Sequence, residues 1–273
     1  MPLADRFDGL LIDLDGVVWI GREPVPGSPQ ALQALLEAGK RVVFVTNNPG
    51  KPPAAYAERL RELGVEVGTD QIVTAGMVVA RLAAEAAGSG GSAFVIGAAA
   101  LKEMIAAAGA RPVEGEEAQA ADAVVVSGHR GFDYDELLTA KRALDRGAAL
   151  FATSHDPTMP YPGGEVPGTG AVLAAVEVAS GRQAEIAGKP ERHLFEMAQE
   201  ALRGSFRTDS DRKEPRAWRV AMVGDRISSD IEGGRRAGLE TVLVLSGTTS
   251  REQAEAADPA PDFVVENLSG LLA

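Results

Sequence analysis

Short apolar runs alternate with longer segments of helical periodicity along the chain. The first run, LLIDLDGVVW over residues 10–19, has the length and β-branched content of a buried strand. Further strand-like runs are RVVFVTNN, AFVIG, AVVVS, AALFATS, WRVAMVGD and ETVLVLSG, and helical segments separate most of them. This alternation predicts an α/β fold with a doubly wound, mostly parallel sheet and helices on its faces.

The first two helical segments carry recognisable boundary signals. SPQALQALLEAG (residues 28–39) offers Ser28 as N-cap, Pro29 at the first helical position and Gly39 as a stop. PAAYAERLRELG (residues 53–64) places Tyr56 and Leu60 on one stripe. Both segments are therefore predicted to pack as amphipathic helices against the sheet.

The middle of the chain predicts a second domain. Residues 83–94, AAEAAGSGGSAF, are rich in Gly and Ser, as expected of a linker or loop. The following stretch contains its own β-α units, so we expect a smaller α/β domain inserted into the first. The predicted divisions are 1–80 and 183–273 for the core and 81–182 for the insertion. The charged segment 204–216 predicts an exposed loop between a helix and the next strand.

Composition mainly excludes classes of partner. The 273 residues carry a formal net charge of −12, which disfavours binding to nucleic acid or to anionic membranes. An anionic substrate would therefore need a locally positive site, for instance a bound metal ion. There is no cysteine, which excludes disulfides and thiolate metal sites. Because no signal-like segment and no apolar run of membrane-spanning length occur, we expect a soluble, cytoplasmic protein.

Polar side chains of one chemical kind follow four predicted strands. In open parallel sheets, ligands bind beyond the carboxyl ends of the strands. Each group alone has an ordinary explanation: a turn at the end of a strand, a surface lysine, or a helix N-cap. Four such explanations holding together would be a coincidence. The residues are Asp13 and Asp15 after the first strand, Thr46 after the second, Lys189 after AEIAG, and Asp225 and Asp230 after VAMVG.

These residue types suit chemistry at a phosphate group. Asp13 and Asp15, two apart on an extended chain, face the same side and repel each other unless a cation or proton intervenes. Mg²⁺ held by Asp13, Asp225 and a main-chain carbonyl would bridge to the phosphate. Lys189 would add a point charge and Thr46 a hydrogen bond to the phosphoryl oxygens. Asp13 could then attack phosphorus, with Asp15 as general acid and base.

The four segments, in this order, resemble the haloacid dehalogenase (HAD) superfamily. The resemblance is carried by DLDGV, the threonine of VVFVT, the lysine of GKP, and GDRISSD. An insertion between the threonine and lysine motifs resembles members with a type C2 cap. The segments TNN, PGTGAVLAAVEVASGR and GKPE look like the NagD and 4-nitrophenyl phosphatase-like branch, subfamily IIA. The resemblance implies a Rossmann-like HAD core and Mg²⁺-dependent hydrolysis of small phosphorylated metabolites.

Carried over by position, the resemblance implies a role for each motif residue. Asp13 would be the nucleophile, Asp15 the general acid/base, and Thr46 and Lys189 phosphoryl ligands. Asn47 and Asn48 would shape the loop around the phosphate. In the cap segment ATSHD, His155 is a candidate substrate contact, with ordinary packing within the cap as the alternative. The metal site would draw on Asp13, Asp15, Asp225 and Asp230, the last directly, through water, or by supporting the lysine. Relatives often dimerise through the cap, so a homodimer is expected.

Three other functions remain open from the sequence. A carbon–halogen hydrolase of the same superfamily needs one aspartate nucleophile and no Mg²⁺, and the presence of Asp15 and Asp225 argues against it. A module that only accepts or binds a phosphoryl group would have no use for Asp15. A phosphomutase shares the aspartyl-phosphate step but returns the phosphate to its substrate.

Overall fold

The structure is a computed structural model that describes residues 1–161, 164–205 and 218–273. Most of the loop predicted over 204–216 lies outside these residues. The backbone divides into two compact units. The first comprises Met1–Thr46, Pro53–Val73 and Lys189–Ala273, and the second Asn47–Pro52 and Thr74–Gly188.

The described residues form the following strands and helices. The strands are β1 (Gly9–Asp13), β2 (Trp19–Ile20), β3 (Glu23–Pro24), β4 (Arg41–Thr46), β5 (Ile72–Thr74), β6 (Ser92–Ile96), β7 (Arg111–Pro112), β8 (Ala123–Val126), β9 (Ala149–Ala152), β10 (Thr158–Tyr161), β11 (Gly164–Pro167), β12 (Glu185–Ile186), β13 (Val220–Gly224), β14 (Glu240–Val244) and β15 (Phe263–Val265). The α-helices are α1 (Ser28–Glu37), α2 (Pro53–Glu62), α3 (Ala75–Ala87), α4 (Ala99–Ala108), α5 (Gly115–Ala118), α6 (Tyr134–Asp145), α7 (Thr169–Ser180), α8 (Arg192–Ser205), α9 (Glu232–Arg236) and α10 (Arg251–Glu255). Short 3-10 turns cover Leu3–Arg6, Thr69–Gln71 and Leu268–Leu272, and a π-helical turn covers Ile227–Ile231.

The first unit contains a six-stranded sheet in the order β15-β14-β13-β1-β4-β5. β1 pairs in parallel with β4 on one side and with β13 on the other. The chain therefore builds outward from β1 in one direction and later returns to build in the other. The end of β1 is a topological switch point, where open α/β sheets bind their ligands.

Alternation along the strands explains why helices cover this sheet. Leu10 and Ile12 of β1 lie in the same core cluster as Leu35 of α1 and Leu60 of α2. Leu11, between them, is also fully buried and points to the opposite face, since successive strand side chains alternate. The predicted doubly wound, mostly parallel α/β fold is confirmed.

The second unit contains a five-stranded parallel sheet in the order β12-β9-β8-β6-β7. Apolar residues of β6, β8 and β9 pack with α6 and α7 in a core cluster of their own. β10 and β11 form an antiparallel hairpin. The predicted boundary at 80/81 falls inside α3, and the segment 83–94 is a loop only between Ala87 and Ser92, because alanine-rich sequence continues the helix.

Two local predictions are wrong. Ser28 is not the N-cap of α1: Gly27 occupies that position in a left-handed conformation (φ 80°), and the Ser28 hydroxyl donates instead to the Val17 carbonyl at 2.9 Å. The strand before Lys189, β12, pairs with β9 and so belongs to the second sheet, not to the sheet of β1. A two-residue apolar run carries no information about which sheet it joins.

Within the described ranges, we find no helix long and apolar enough to cross a membrane.

Candidate active site

Three of the predicted site residues lie at the carboxyl ends of adjacent strands. Asp13 ends β1, Thr46 ends β4, and Asp225 directly follows β13. All three are buried, with 6%, 1% and 1% of their surface exposed. The parallel register of β4, β1 and β13 brings their ends to one edge of the sheet. Strand-end placement, as predicted, holds for these residues.

Lys189 reaches the site by another route. It follows β12 of the second sheet and precedes α8, so it arrives from a loop and not from a strand of the core sheet. Its ammonium lies 2.8 Å from Asp13 Oδ1 and 2.6 Å from Asp230 Oδ1. The lysine is only 3% exposed, so it is not a solvated surface residue. Lys189 is therefore part of the site, where its ammonium is held between two carboxylates.

The π-helical turn after β13 orients Asp230. Its second oxygen, Oδ2, accepts a hydrogen bond from the Arg226 backbone N–H at 3.0 Å, while Oδ1 accepts from Lys189. Both oxygens are therefore engaged, and the side chain is fully buried. A Cβ at Gly224 would come within 2.2 Å of this carboxyl group, so the strand must end in glycine for Asp230 to fold back.

Asp225 is enclosed by glycine backbone. Its Oδ2 accepts from the Thr248 N–H at 2.6 Å. A Cβ at Gly16 or at Gly247 would approach this same oxygen to 2.4 or 2.1 Å, and Gly16 also adopts a left-handed φ of 85°. The other oxygen, Oδ1, is buried and has no hydrogen-bond partner in the part of the chain that the structure describes. An unpaired buried carboxylate oxygen is costly and calls for a ligand.

Asp13, Asp225 and Asp230 together form an excess of negative charge. Each offers a carboxylate oxygen, and these atoms lie within 4.8 Å of one another. Burial raises the pKa of Asp13 well above its ordinary value, with the charges of Asp230 and Asp225 adding to the rise and Lys189 opposing it. Burial, followed by the charge of Asp230, also raises the pKa of Asp225. The residues therefore fit a bound cation, which would supply the missing positive charge.

Lys189 remains charged in this setting. Burial alone would lower the pKa of the ammonium, but the charges of Asp13 and Asp230 and their hydrogen bonds outweigh it and raise the pKa above the ordinary value of lysine. The site thus holds one permanent positive charge at physiological pH.

The prediction that Asp13 and Asp15 lie on one extended strand is wrong, because only Asp13 belongs to β1. β1 ends at Asp13, and the backbone then turns, with the N–H groups of Val18 and Trp19 directed to the Leu14 carbonyl. Asp15 lies in this turn and is exposed, while Leu14 between the two aspartates is buried in the core. The Asp15 carboxylate accepts a hydrogen bond from the Trp19 indole N–H at 2.9 Å. Its side chain is outside the carboxylate cluster.

The remaining predicted residues belong to the second unit. Asn48 accepts from the Gly50 N–H at 2.9 Å, which closes the turn after β4. Asn47 lies beside Gly188, where a Cβ would meet its Oδ1 at 2.5 Å. His155 is exposed and follows β9 by three residues. Their roles toward a substrate stay predictions.

Sequence reasoning missed the loop after β14 and the tryptophan of the first turn. The segment SGTTS supplies the Thr248 N–H to Asp225, and Ser246 donates its hydroxyl to the Gly16 carbonyl at 2.8 Å. A Gly-Thr segment shortly after a buried parallel strand was an available signal. Trp19 is fully buried in the core, yet its indole N–H donates to Asp15.

Comparison with known proteins identifies the family. A model described as haloacid dehalogenase-like hydrolase matches residues 10–111, and a second, HAD-hydrolase-like model matches residues 186–271. The chain belongs to the haloacid dehalogenase-like hydrolases. Both matches include segments that carry the strand-end aspartates, and the gap between them lies in the second unit.

Individual relatives narrow the resemblance. The chain is 36% identical to D-glycerol 3-phosphate phosphatase of Mycobacterium tuberculosis, over 98% of this chain and 72% of the relative. Among solved structures, a glycerol phosphate phosphatase from the same organism in complex with magnesium has a TM-score of 0.86 at 35% identity, covering 100% of this chain and 78% of that one. A p-nitrophenyl phosphatase from Archaeoglobus fulgidus has a TM-score of 0.85 at 33% identity, covering 97% and 98%. The predicted resemblance to the 4-nitrophenyl phosphatase-like branch is confirmed.

Proposed function

We propose that this protein is a Mg²⁺-dependent phosphatase that hydrolyses small phosphate monoesters through a phospho-aspartate at Asp13. The observation that carries the proposal is the ammonium of Lys189 held between Asp13 and Asp230, together with a buried Asp225 oxygen that has no hydrogen-bond partner within the described ranges. The named relatives, which are phosphatases, support the same reaction class.

In the first step, Asp13 takes the phosphoryl group from the substrate. Lys189 and Thr46 bind the phosphoryl oxygens, and a carboxylate oxygen of Asp13 attacks phosphorus in line. The bond between phosphorus and the ester oxygen breaks, and its electron pair leaves with that oxygen. Asp15, protonated at this stage, gives its proton to the leaving oxygen, so that an alcohol departs.

In the second step, water releases the phosphate. Asp15, now a carboxylate, accepts a proton from the water molecule while the water oxygen forms a bond to phosphorus. The bond between phosphorus and the Asp13 oxygen breaks, which restores the Asp13 carboxylate and frees orthophosphate. Asp15 ends the cycle protonated again, so protons balance. Its exposed position, outside the buried cluster, fits exchange with substrate and water.

Mg²⁺ would be held by the carboxylates of Asp13 and Asp225 together with a main-chain carbonyl. Asp15 would supply that main-chain carbonyl, since its side chain accepts a hydrogen bond from Trp19. Asp230 would serve through water or by holding Lys189. When bound, the ion neutralises charge on the phosphate so that a carboxylate can approach it. The unpaired oxygen of Asp225 and the uncompensated charge of the cluster support this assignment.

We further propose that the second unit is a C2-type cap, inserted between the threonine and lysine motifs, in which His155 contacts the substrate. Asn47 and Asn48 would shape the loop around the phosphate, and the hydrogen bond from Gly50 to Asn48 supports that role. A cytoplasmic location and a homodimer formed through the cap complete the proposal and rest on the resemblance. Light scattering of the full chain would detect the dimer.

The substitution Asp13→Asn tests the mechanism. We expect hydrolysis of 4-nitrophenyl phosphate to fall to background, because an amide cannot attack phosphorus, while the thermal transition of the protein persists. Glu58→Gln, which changes an exposed carboxylate on α2 in the same way, is the control and should keep full activity. Turnover retained by Asp13→Asn would refute the mechanism. A panel of phosphorylated metabolites with and without Mg²⁺ would then identify the substrate.

A further inference from the structure

We propose that Trp19 is a positioning residue for Asp15, holding the general acid through its indole N–H. The inference rests on the proposed function and extends it to a residue outside the motif aspartates. It starts from one contact: Trp19 Nε1 donates to Asp15 Oδ1 at 2.9 Å, across the turn that follows β1.

The contact is made by a rigid donor and an otherwise unsupported acceptor. Trp19 is fully buried in the core cluster of the first unit, and its backbone carbonyl accepts from the Gly16 N–H at 2.7 Å. Asp15 is exposed, and the structure assigns its Oδ2 no partner among the described residues. The indole N–H can only donate a hydrogen bond, so its partner must be an acceptor such as the Asp15 carboxylate oxygen. One oxygen of Asp15 is thereby held, and the other is left for proton transfer.

A second element braces the indole. The guanidinium of Arg59, on α2, lies 3.9 Å from the centroid of the Trp19 ring and donates to the Gly21 carbonyl at 2.6 Å. Gly21 belongs to the turn between β2 and β3, so Arg59 ties helix, ring and hairpin together. The negative charge of Asp15 also contributes to the raised pKa of Tyr56, after burial, which is consistent with Asp15 facing this helix. The indole therefore cannot rotate away without breaking these contacts.

The two roles of Trp19 predict different kinetics. A general acid matters most when the leaving group is a strong base, because a weakly basic oxygen departs without a proton. Phenyl phosphate and 4-nitrophenyl phosphate have similar shapes, but phenoxide is much more basic than 4-nitrophenoxide. A residue that positions Asp15 affects the first substrate selectively, whereas a residue that only supports the fold affects both alike.

The test compares kcat/KM of Trp19→Phe on the two substrates, because this ratio reports the steps up to formation of the phospho-aspartate. Phenylalanine keeps an aromatic ring and removes the donor. We expect a loss of about 10-fold on phenyl phosphate and of at most about 2-fold on 4-nitrophenyl phosphate. In an Asp15→Asn background the additional loss should vanish, since the two changes act through one interaction.

Two further variants complete the experiment. Trp218→Phe removes the other tryptophan of the chain, which also lies under an arginine (Arg41, 4.0 Å) but precedes the amino end of β13, whereas the site lies at the carboxyl ends of the strands. This variant should change kcat/KM on neither substrate. Arg59→Met keeps the indole and removes its brace, and should show the same selectivity with a smaller loss. This variant decides the question if Trp19→Phe does not fold.

The outcomes separate the two proposals. If the wild type is active and Asp13→Asn is not, an equal loss on both substrates, or a loss that persists in the Asp15→Asn background, overturns the role of Trp19 alone. If the wild type releases phosphate from neither substrate in the presence of Mg²⁺, the proposed function fails and the role of Trp19 fails with it.

Discussion

The two parallel sheets of this chain are built alike and end differently. In each, the first parallel strand (β1 or β6) has later strands added on both sides, so each sheet has a switch point at that strand. β1 ends in Asp13, whereas β6 ends in Ile96 followed by Gly97. The buried charged residues of the described chain, Asp13, Lys189, Asp225 and Asp230, all lie in the first unit.

The second unit instead buries hydroxyl groups, one directly after β9 and one at the start of α7, and these hydrogen-bond to each other and to the backbone. Thr169 Oγ1 accepts from the Gly128 N–H at 3.0 Å and lies 3.3 Å from the hydroxyl of Thr153. Hydroxyls and backbone groups close such a network without outside help, but three carboxylates and one ammonium do not. Both sheets therefore have a topology that can form a binding site at the carboxyl ends of their strands. Only the first has buried charges that a ligand would be needed to balance.

Removing the positive charge of Lys189 should have the largest effect on stability and on activity. Lys189→Met leaves Asp13 and Asp230 buried without their shared partner. We expect a loss of about 3–5 kcal/mol in the free energy of unfolding and a 100- to 1000-fold fall in activity, by analogy with the loss of a preorganised electrostatic group. Urea denaturation and steady-state kinetics measure the two effects.

The matched change in the second unit is Thr153→Val, which removes one fully buried hydroxyl. It should cost only about 1–2 kcal/mol, since a neutral hydrogen bond and not a charge is lost. Equal destabilisation by the two variants would contradict the contrast between the two units.

Adding Mg²⁺ should stabilise the folded protein measurably. At a Mg²⁺ concentration 100 times its Kd, linkage predicts about 2.7 kcal/mol of additional stability, read as a rise in Tm without any substrate. Asp225→Asn should lose most of this rise, because it removes the charge of a carboxylate with one oxygen that no described residue contacts by a hydrogen bond. Glu58→Gln should keep the full rise. A Tm of Asp225→Asn that responds to Mg²⁺ as the wild type does would show that the ion binds elsewhere.

The space around Asp225 is limited by glycine backbone. Gly247→Ala would bring a methyl group within 2.1 Å of Asp225 Oδ2, so the carboxylate must move. We expect a cost of about 1–3 kcal/mol, together with a higher Mg²⁺ requirement for activity. At Gly97, directly after β6, an added Cβ would meet the end of the Leu101 side chain at 3.0 Å and its other neighbours at ordinary contact distances of 3.4 and 3.6 Å, so Gly97→Ala should cost less than about 1 kcal/mol. A Mg²⁺ titration of both variants measures the difference.

Much of the fold and half of the site follow from local sequence. The alternation of apolar residues predicted β1, β4, β6, β8, β9, β13 and β14, because a strand's periodicity is a property of a few consecutive residues. Asp13, Thr46 and Asp225 could be found for the same reason: each directly follows such a run. The short strands β5, β12 and β15 have too few residues to carry a pattern, and their sheet positions were not predictable.

The sequence alone thus determined the family, the strand-end residues and the chemistry they are suited to. Only the tertiary structure decided three features of the site. Lys189 follows the edge strand of the second sheet, one oxygen of Asp225 has no hydrogen-bond partner among the described residues, and Asp15 accepts a hydrogen bond from Trp19. The first two features depend on which groups from distant segments meet in a buried interior, and the third depends on how the turn after β1 folds. Burial and pairing are properties of the folded chain, and no single stretch of residues determines them.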